Sequence, residues 1–324
     1  MNDKISFEEL YKAYQLCLKN KKRKVGTYNF MNDELCKNLI ELLDELNEYR
    51  YNPRPSNCYV ITDPALREIY AAQFRDRIVQ HFYMKEIEEI LEKELVEGCS
   101  SWRKGKGTDY ALRLLKKHLV ETSRNGKEDC FFLKIDLSGY FMSINRKQVS
   151  EKFYKLIEEK YYGTHKEMLL YLTPIIFENN PALDCVHKCE EKMRNRVPER
   201  RKMKSFSEYG MAIGNLTSQA GSNLNLSEFD NYVVNELKLE KYVRYVDDIV
   251  IISDNKKELI IALPKIIKKL QETNQVISKK KTIINTAYYG VPFLGKTSYP
   301  YGYQKHKKTT IIRVCRKAKS IKYK

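Results

Sequence analysis

The segment Tyr242–Ser253 most constrains how this chain folds. Two β-rich, apolar halves flank the acidic pair Asp247-Asp248, which predicts a β-hairpin with carboxylates at its turn. A second apolar run, Phe131–Ile135, also ends in a carboxylate, Asp136. Carboxylates at the ends of neighbouring strands converge on one point. Such a group needs a cation, because unpaired carboxylates are costly to bury.

Carboxylate oxygens are hard ligands that hold Mg²⁺, and two such ions stabilise the attacking and leaving oxygens of phosphoryl transfer. The alternative is a pair of solvated hairpin residues and a separate Asp that caps a helix. An Asp-Asp pair alone is weak evidence. The apolar flanks and the third carboxylate, Asp136, favour the metal site.

The charge balance points to a polyanionic partner. The chain has 324 residues with 59 Lys+Arg against 42 Asp+Glu, a formal net charge of +17. Nucleic acid is the commonest partner of such a chain. Basic runs lie at 19–24, 192–204 and 305–324, and each has the alternative of being a solvated face. In a polymerase they would line the template–primer backbone and make binding salt-dependent.

The remaining composition excludes several classes of protein. A hydrophobic fraction of 42% is enough for a core and argues against a disordered chain. We expect no membrane span, because no stretch approaches the roughly 18 apolar residues that one needs. No signal peptide is visible at the N-terminus. The eight cysteines are scattered, so reduced thiols in a cytosolic protein are the simplest interpretation.

Apolar periodicity predicts the order of elements along the chain. We expect a short strand over Cys58–Thr62 and a polar connection over 178–209. Helices are predicted at Phe7–Leu18, from an Asn32 cap to Leu46, over Ile69–Leu95, from Thr108 to about Val120, from the turn Gly210–Gln219 to about Leu237, and at about 256–273.

The stretch Cys185-Val186-His187-Lys188-Cys189 has the residue types of a zinc site. Only three ligands are close, and no second Cys pair stands at a supporting spacing. The sequence therefore favours an ordinary helix or loop over zinc there.

Four residues, Tyr245-Val246-Asp247-Asp248, resemble the motif C signature of reverse transcriptases, and Phe132–Ile144 resembles their motif A. Gly210–Gln219 resembles motif B. Its form, an aliphatic Ile213 followed by Gly-x-x-x-Ser-Gln, resembles the variant of diversity-generating retroelement reverse transcriptases. The resemblance runs in order from about Phe7 to Gly295. It includes Arg67-Glu68-Ile69, Arg75-Asp76-Arg77, the loop Arg103–Thr108, Asn223–Asp230, Lys281-Thr282 and Phe293-Leu294-Gly295.

This resemblance implies an α+β right-hand polymerase with fingers, a palm and a short thumb. We expect the fingers with N-terminal helices at 1–130. The palm, a small antiparallel sheet plus helices, is expected at 131–295, with some fingers elements and a basic insertion at 178–209. A short basic thumb or C-terminal tail is expected at 296–324.

The resemblance also implies the catalytic roles. Asp136 and Asp247 match the metal ligands, Asp248 is the supporting carboxylate, and the carbonyl of Leu137 is a further ligand. The implied cofactor is a pair of Mg²⁺ ions, with Mn²⁺ as a possible substitute. Lys281 matches the motif D lysine that protonates the departing pyrophosphate; the alternative is one more solvated lysine.

For the nucleotide, Phe141 matches the steric gate that excludes a 2′-hydroxyl, with a core aromatic as the alternative. Arg67 matches the arginine that lies along the triphosphate, where a planar fork suits phosphate. Family members often carry a Lys two residues earlier, here Ala65, so Arg75 or Lys104 is expected to add charge instead. The full set of predicted dNTP contacts is Arg67, Arg75, Ser138, Gly139, Tyr140, Phe141, Ile213, Gly214, Ser218 and Gln219.

Basic side chains and exposed amides before a helix suit phosphate binding, although a flexible loop shows the same pattern. The predicted nucleic-acid contacts are Arg103, Lys104, Lys106, Arg194, Arg196, Arg200, Arg201, Lys202, Arg316 and Lys317.

The resemblance implies a mutagenic RNA-directed DNA polymerase. It copies a template-repeat RNA with errors at adenines, so that the cDNA diversifies a target gene in mutagenic retrohoming. The implied partners are that RNA, the cDNA/RNA hybrid, dNTPs and a pentameric accessory variability protein (Avd), in a bacterial or phage-encoded cytoplasmic system without membranes. The alternatives are a group II intron-like or phage-defence reverse transcriptase, and a catalytically idle RNA-binding module on a polymerase fold.

Overall fold

The computed structural model describes residues 3–19, 25–32, 34–63 and 65–322. The chain forms two compact units, and each is built from two separate segments. The first unit comprises Met1–Glu94 and Gly139–Leu226, and the second comprises Leu95–Ser138 and Ser227–Lys324. The units therefore interleave along the chain instead of following the three consecutive segments of the predicted division, whose fingers, palm and thumb boundaries stay predictions.

Helices account for most of the first unit and flank the sheets of the second. In chain order they are α1 (Phe7–Leu18), α2 (Val25–Asn32), α3 (Leu35–Asn47), α4 (Phe74–Glu94), α5 (Thr108–Thr122), α6 (Tyr140–Ser143), α7 (Arg146–Lys160), α8 (Lys166–Phe177), α9 (Glu191–Asn195), α10 (Leu216–Asn225), α11 (Ser227–Asn231), α12 (Lys256–Gln271) and α13 (Lys308–Lys322).

The strands of the described residues form three small sheets. They are β1 (Ser56–Ile61), β2 (Arg67–Ala71), β3 (Phe131–Asp136), β4 (Cys185–His187), β5 (Tyr242–Tyr245), β6 (Asp248–Ser253), β7 (Ile283–Thr286), β8 (Val291–Phe293), β9 (Lys296–Ser298) and β10 (Gln304–His306). The orders within the sheets are β2-β1-β4, β5-β6-β3-β7 and β10-β9-β8.

The helices of the first unit enclose an aromatic core. The ring of Phe153 on α7 stacks on Phe177 of α8 with centroids 4.2 Å apart, and Tyr83 of α4 meets both rings edge-on. At the start of α1, Ser6 and Glu9 form a capping box, which satisfies amides that would otherwise lack partners. The ring contacts pack α4, α7 and α8 against one another.

The second unit is organised around the four-stranded antiparallel sheet. Strand β3 is central: Phe131 to Asp136 pair with Ser253 to Asp248 of β6 on one side, and β3 also pairs with β7. One face of this sheet packs on α5 through a buried cluster that includes Phe132, Val250 and Leu115. Burial of this face fixes the register, because a slip of one residue would turn the apolar side chains to solvent.

Several predicted elements are confirmed closely: α1, α5, β3 and the β5–β6 hairpin lie where apolar patterning places them. The helix predicted from an Asn32 cap is wrong at its start, since α2 runs to Asn32 and α3 begins only after Glu34, whose φ is 62°. The helix predicted over Ile69–Leu95 begins five residues later, at Phe74.

The error at Ile69 has a tertiary cause. Residues 67–71 alternate between half-buried and buried and pair along β1, so strand pairing prevails over local helical spacing. The helix predicted to reach Leu237 is broken into α10, α11 and a π-helical turn at Tyr232–Glu236. The connection 178–209 is not featureless, because it contains β4 and α9. Within the described residues, no helix combines the length and apolar character needed to cross a bilayer.

Candidate active site

The β5–β6 hairpin carries the acidic pair at its two-residue turn. Tyr245 and Asp248 close the ladder, which leaves Val246 and Asp247 in the turn. Val246 has φ 59°, a left-handed conformation that a β-branched residue adopts only at a cost of about 1–3 kcal/mol. Strain of this kind persists where surrounding contacts over-determine a functional turn.

The predicted carboxylates come together in the second unit. Asp136, at the end of β3, lies directly opposite Asp248 in the antiparallel register. The amide of Leu137 donates to the carbonyl of Asp247 at 3.3 Å, which joins the end of β3 to the turn. Burial, together with the neighbouring charges of Asp248 and Asp136, raises the pKa of Asp247 to about 6. The three carboxylates are therefore close enough for their charges to affect one another.

Two lysines balance this negative charge. Lys281 Nζ donates to both carboxylate oxygens of Asp136, at 3.0 and 2.9 Å. Lys134 Nζ lies 3.1 Å from Asp248 Oδ1. These two lysines pair with Asp136 and Asp248. The charge of Lys281 lowers the pKa of Asp247, but burial and the neighbouring carboxylates outweigh it. The carboxylates of Asp136 and Asp247 offer only oxygen donors, and together they carry two negative charges. A hard divalent cation fits these donors.

The main chain at Leu137 is oriented towards the same turn. Ser138 donates to the carbonyl of Val276 and Ser278 donates to that of Asp136, each at 2.8 Å. In this antiparallel bridge Leu137 and Ile277 are the non-hydrogen-bonded pair, so the polar groups of Leu137 point to the opposite side, where its amide meets Asp247. The Leu137 carbonyl therefore lies on the side of the strand that faces Asp247. Its role as a metal ligand stays a prediction.

A buried charge pair that sequence reasoning missed lies beneath the turn. Arg244 and Asp230 are both fully buried, with Nη2 2.6 Å from Oδ2. Arg244 Nη1 also donates to the carbonyl of Val246 at 3.1 Å, and the Val246 amide donates to Ser101 Oγ at 3.3 Å. The sequence signal was a lone Arg between apolar strand residues, which is costly to bury without a partner. These contacts hold the turn that presents Asp247.

Arg103 is part of the same scaffold. It is buried, and its Nη1 donates to the carbonyls of Val96 and Cys99 at 2.6 and 2.7 Å. These bonds give Arg103 a role in holding the fold. Its predicted contact with nucleic acid stays a prediction.

In the first unit, the motif B segment docks on the free edge of β2. Tyr70 donates its amide to the carbonyl of Ile213 at 3.0 Å, and Ala72 donates to the side chain of Asn215, the N-cap residue of α10, at 3.1 Å. Gly214, with φ 125°, sits so close that an added Cβ would lie 2.8 Å from the Ile69 side chain. Glycine is required there both for the backbone angle and for this approach.

Arg67 begins the same β2 strand. Its Nε is buried and has no hydrogen-bond partner among the described residues. A buried guanidinium nitrogen without a partner is unusual and suits an anionic ligand. Arg75 differs: it is buried, ion-paired with Glu45, and stacked over the Tyr51 ring at 5.5 Å. Its contacts are structural, so the predicted phosphate contact at Arg75 lacks support.

The other predicted nucleotide contacts lie in varied settings. Phe141 is half-buried on α6, and its carbonyl accepts from the Met211 amide at 2.7 Å. Tyr140 is buried, and its hydroxyl donates to the carbonyl of Ser222. Gly139 precedes it with φ 65°. On α10, Ser218 is buried and Gln219 is exposed. Their roles towards a nucleotide stay predictions, as does that of Ser138.

The predicted nucleic-acid residues differ in exposure. Lys104, Arg196 and Arg200 are exposed. Lys106 pairs with Glu97 at 2.9 Å, and Lys202 pairs with Glu199 at 2.6 Å. Arg194 is half-buried, Arg201 donates to the Leu66 carbonyl at 3.3 Å, and Arg316 is exposed on α13. The side chain of Lys317 and the basic residues 20–24 lie outside the part that the structure describes.

Comparisons with known proteins agree with this geometry. The sequence profile of the family described as reverse transcriptase (RNA-dependent DNA polymerase) matches residues 63–298, most of the chain. No curated protein sequence matches the chain.

Solved telomerase structures resemble the chain in three dimensions. Apo telomerase from Candida tropicalis truncated from its C-terminal domain has a TM-score of 0.54 at 14% identity, over 79% of this chain and 56% of that chain. Apo telomerase from Candida tropicalis gives 0.53 at 13% identity, over 79% and 49%. Telomerase from Candida albicans in complex with a fragment of telomeric RNA gives 0.50 at 14%, over 80% and 47%. The chain spans about half the length of these telomerases. This likeness confirms the predicted α+β polymerase fold and nothing beyond the fold.

Proposed function

Because the chain belongs to the reverse transcriptase family, we propose that it extends a primer 3′-hydroxyl with deoxynucleotides on an RNA template. The observation that carries this proposal is the convergence of Asp136, Asp247 and Asp248 at one end of the β3–β6 pair. An RNA-binding module without catalysis would have no need of a strained turn that gathers three carboxylates.

Residues of this chain supply the surroundings of the reaction. Asp136 and Asp247 would hold Mg²⁺ with the carbonyl of Leu137, and the bound metal would supply charge stabilisation for the oxygens of phosphoryl transfer. Lys281 Nζ donates a hydrogen bond to the Asp136 carboxylate. From this position it would give a proton to the departing pyrophosphate. Arg244 keeps the turn of Asp247 in place through the Val246 carbonyl.

Arg67 would bind the triphosphate of the incoming nucleotide through its guanidinium. The proposal is supported by the buried Nε of Arg67, which has no hydrogen-bond partner among the described residues and could donate to a phosphate oxygen. Phe141 would exclude ribonucleotides by occupying the space of a 2′-hydroxyl. Its half-buried ring does not belong to the closed aromatic core of the first unit formed by Tyr83, Phe153 and Phe177.

The finer proposal is a mutagenic reverse transcriptase of a diversity-generating retroelement. It is supported by the motif B form, in which Ile213 stands where most reverse transcriptases carry Gln, followed by Gly214 and Ser218-Gln219. The Ile213 side chain is half-buried, and its carbonyl accepts a hydrogen bond from the Tyr70 amide. The main chain is therefore held in place, and the apolar Ile213 side chain stands where other family members carry the side-chain amide of Gln. The proposed template is a template-repeat RNA, and the proposed accessory protein is the pentameric Avd.

One assay separates polymerase from idle binding module. A labelled DNA primer annealed to RNA is incubated with the chain, dNTPs and Mg²⁺, and both retention of the hybrid and extension are followed. Extension that stops with EDTA supports the polymerase. Tight binding of the hybrid without extension, in the presence of the cognate RNA and accessory protein, would contradict it.

A second readout addresses the subtype. Complementary DNA made from the cognate RNA with the accessory protein is sequenced. Errors concentrated opposite template adenines support the diversity-generating function. An even, low error spectrum would instead favour a group II intron-like or defence reverse transcriptase, with the same chemistry and another biology.

A further inference from the structure

A group of metal-ligating side chains lies in the first unit, on the sheet β2-β1-β4. Cys58 is buried, Cys185 is half-buried and His187 is exposed, and one ligand atom from each lies within 4.8 Å of the others. Local spacing gives no sign that Cys58 belongs with the Cys185–Cys189 stretch, because more than a hundred residues separate them. The fold brings Cys58 beside this stretch and so adds a ligand.

Strand pairing builds this group. Strand β1 pairs parallel to β4, with Ser56 beside Cys185 and Cys58 beside His187. Side chains two apart on a strand share a face, so Cys185 and His187 point to the same side as Cys58. The Lys188 amide donates to the Cys58 carbonyl at 2.9 Å and locks the register just past His187.

The separation of Cys185 and His187 is close to that between two ligands of a tetrahedral metal site. Cys185 Sγ lies 3.7 Å from His187 Nε2 and 3.9 Å from Nδ1. With zinc–sulfur and zinc–nitrogen bonds of about 2.3 and 2.0 Å, the edge between two tetrahedral ligands is about 3.5 Å. The group thus needs shifts of only a few tenths of an ångström in side-chain position at this edge.

A fourth ligand would come from Cys189, which lies two residues beyond His187 and outside the group of three whose ligand atoms lie within 4.8 Å of one another. The Cys189 side chain would have to turn towards the ion. Three thiols and one imidazole form the Cys₃His set common in structural zinc sites.

We propose that Cys58, Cys185 and His187 bind a structural zinc ion in the first unit, and that Cys189 completes the site once its side chain turns towards the ion. Each coordinating thiol would release its proton to solvent as the zinc–sulfur bond forms, and His187 would coordinate through a neutral ring nitrogen. The site lies outside the carboxylate group and is independent of the proposed polymerisation.

Zinc at this place would hold the chain just before the basic segment 192–204. Within this segment, Arg194, Arg196 and Arg200 follow Cys189. The far end of the segment is already tied down: Asn180 donates to the carbonyls of Lys204 and Ser205 at 3.1 and 2.7 Å. The ion would close the near end against β1. It would thereby hold the exposed Arg196 and Arg200 in a fixed position on this unit.

Metal content tests the proposal directly. The full chain is purified under reducing conditions from zinc-supplemented cells, and zinc is measured by mass spectrometry. We expect one zinc per chain, lost in Cys185→Ser and in His187→Ala, which changes an exposed side chain. The exposed thiols of Cys36 and Cys315 serve as matched controls, and Cys36→Ser and Cys315→Ser should retain zinc. Zinc-free wild type, or equal zinc in His187→Ala, would overturn the site.

Cobalt(II) gives a readout that does not depend on variants. Zinc-depleted, reduced wild type should develop the visible bands of tetrahedral cobalt thiolate on titration, and zinc should bleach them. An octahedral spectrum only, or a Cys58–Cys185 disulfide found by non-reducing peptide mapping of the freshly purified protein, would contradict the proposal. Limited trypsin digestion tests the pinning: chelation should speed cleavage within 192–204 several-fold, and equal rates would overturn that role.

Discussion

Arg244 and Asp230 form a fully buried ion pair, and the same guanidinium donates to the carbonyl of Val246, the residue before Asp247. Arg244 thus connects the interior of the second unit to the turn of the candidate active site. Tyr242 adds a hydrogen bond from its hydroxyl to Asp230. The strained φ of Val246 persists because these buried partners hold it.

Breaking this pair should affect both stability and catalysis. Removing one partner of a buried pair leaves an uncompensated charge and costs about 3–5 kcal/mol. We expect Arg244→Met to lower the free energy of unfolding by that amount, measured by urea denaturation. Asp230→Leu combined with Arg244→Met should recover most of the stability, because no charge stays buried alone.

The double variant isolates the positioning role. A well-folded Asp230→Leu/Arg244→Met protein should still extend primers at least tenfold more slowly than wild type, because the Val246 carbonyl has lost its donor. Wild-type extension in that variant would show that the pair serves stability only.

Lys281 is expected to act as a proton donor to pyrophosphate. Its Nζ lies within 3.0 Å of both Asp136 oxygens, so it stands at the reacting end of β3. Lys281→Gln should lower the single-turnover incorporation rate about 10²-fold with little change in nucleotide affinity. The neighbouring exposed Lys280 is the matched control, and Lys280→Gln should leave the rate unchanged. Equal rates for the two variants would identify Lys281 as a solvated lysine.

Phe141 is expected to select the sugar. If its ring excludes a 2′-hydroxyl, Phe141→Ala should admit ribonucleotides while dNTP use falls less. The measurement is the ratio of rNTP to dNTP incorporation in primer extension, with Phe141→Tyr as a control that keeps a ring. An unchanged ratio in a folded Phe141→Ala protein would make this residue a packing aromatic.

Ile213 is expected to lower fidelity opposite adenine. A Gln there can hydrogen-bond the incoming nucleotide, and losing one such bond costs about 0.5–1.5 kcal/mol, up to roughly tenfold in discrimination. Ile213→Gln should therefore reduce errors at template adenines with modest loss of activity. Its carbonyl bond to Tyr70 uses the main chain and should survive the substitution.

The control for this change is Ile213→Leu, which keeps an apolar side chain and should keep the error spectrum. Both variants are compared with wild type on the same RNA, and their melting temperatures are measured. If Ile213 only packs under the turn, Gln should destabilise the fold. An unchanged adenine error rate in a stable, active Ile213→Gln protein would remove this residue from the mechanism.

Local patterning was sufficient for the elements that carry the carboxylates. The run Phe131–Asp136 and the hairpin around Asp247-Asp248 are apolar segments bounded by acids, and the structure places them as neighbours in register. Their chemistry followed because hard acids at converging strand ends leave few alternatives to a cation.

Tertiary partners lay beyond local patterning. The charges of Arg75 and Arg103 suggested phosphate, but their acceptors are Glu45 and the carbonyls of Val96 and Cys99, which only the folded chain brings near. The sequence likewise gives no sign that Cys58 lies near His187, because the parallel β1–β4 pairing connects distant segments. Short-range spacing carries no information about such contacts.

The most direct measurement compares primer extension by wild type and Asp247→Asn on one RNA–DNA hybrid with Mg²⁺. The substitution removes a ligand charge with little change in volume. We expect extension to fall by at least about 10³-fold, which corresponds to several kcal/mol of transition-state stabilisation, while affinity for the hybrid is retained. Asp136→Asn should behave in the same way. Full extension by a folded Asp247→Asn protein would contradict the assignment of this site as the polymerase centre.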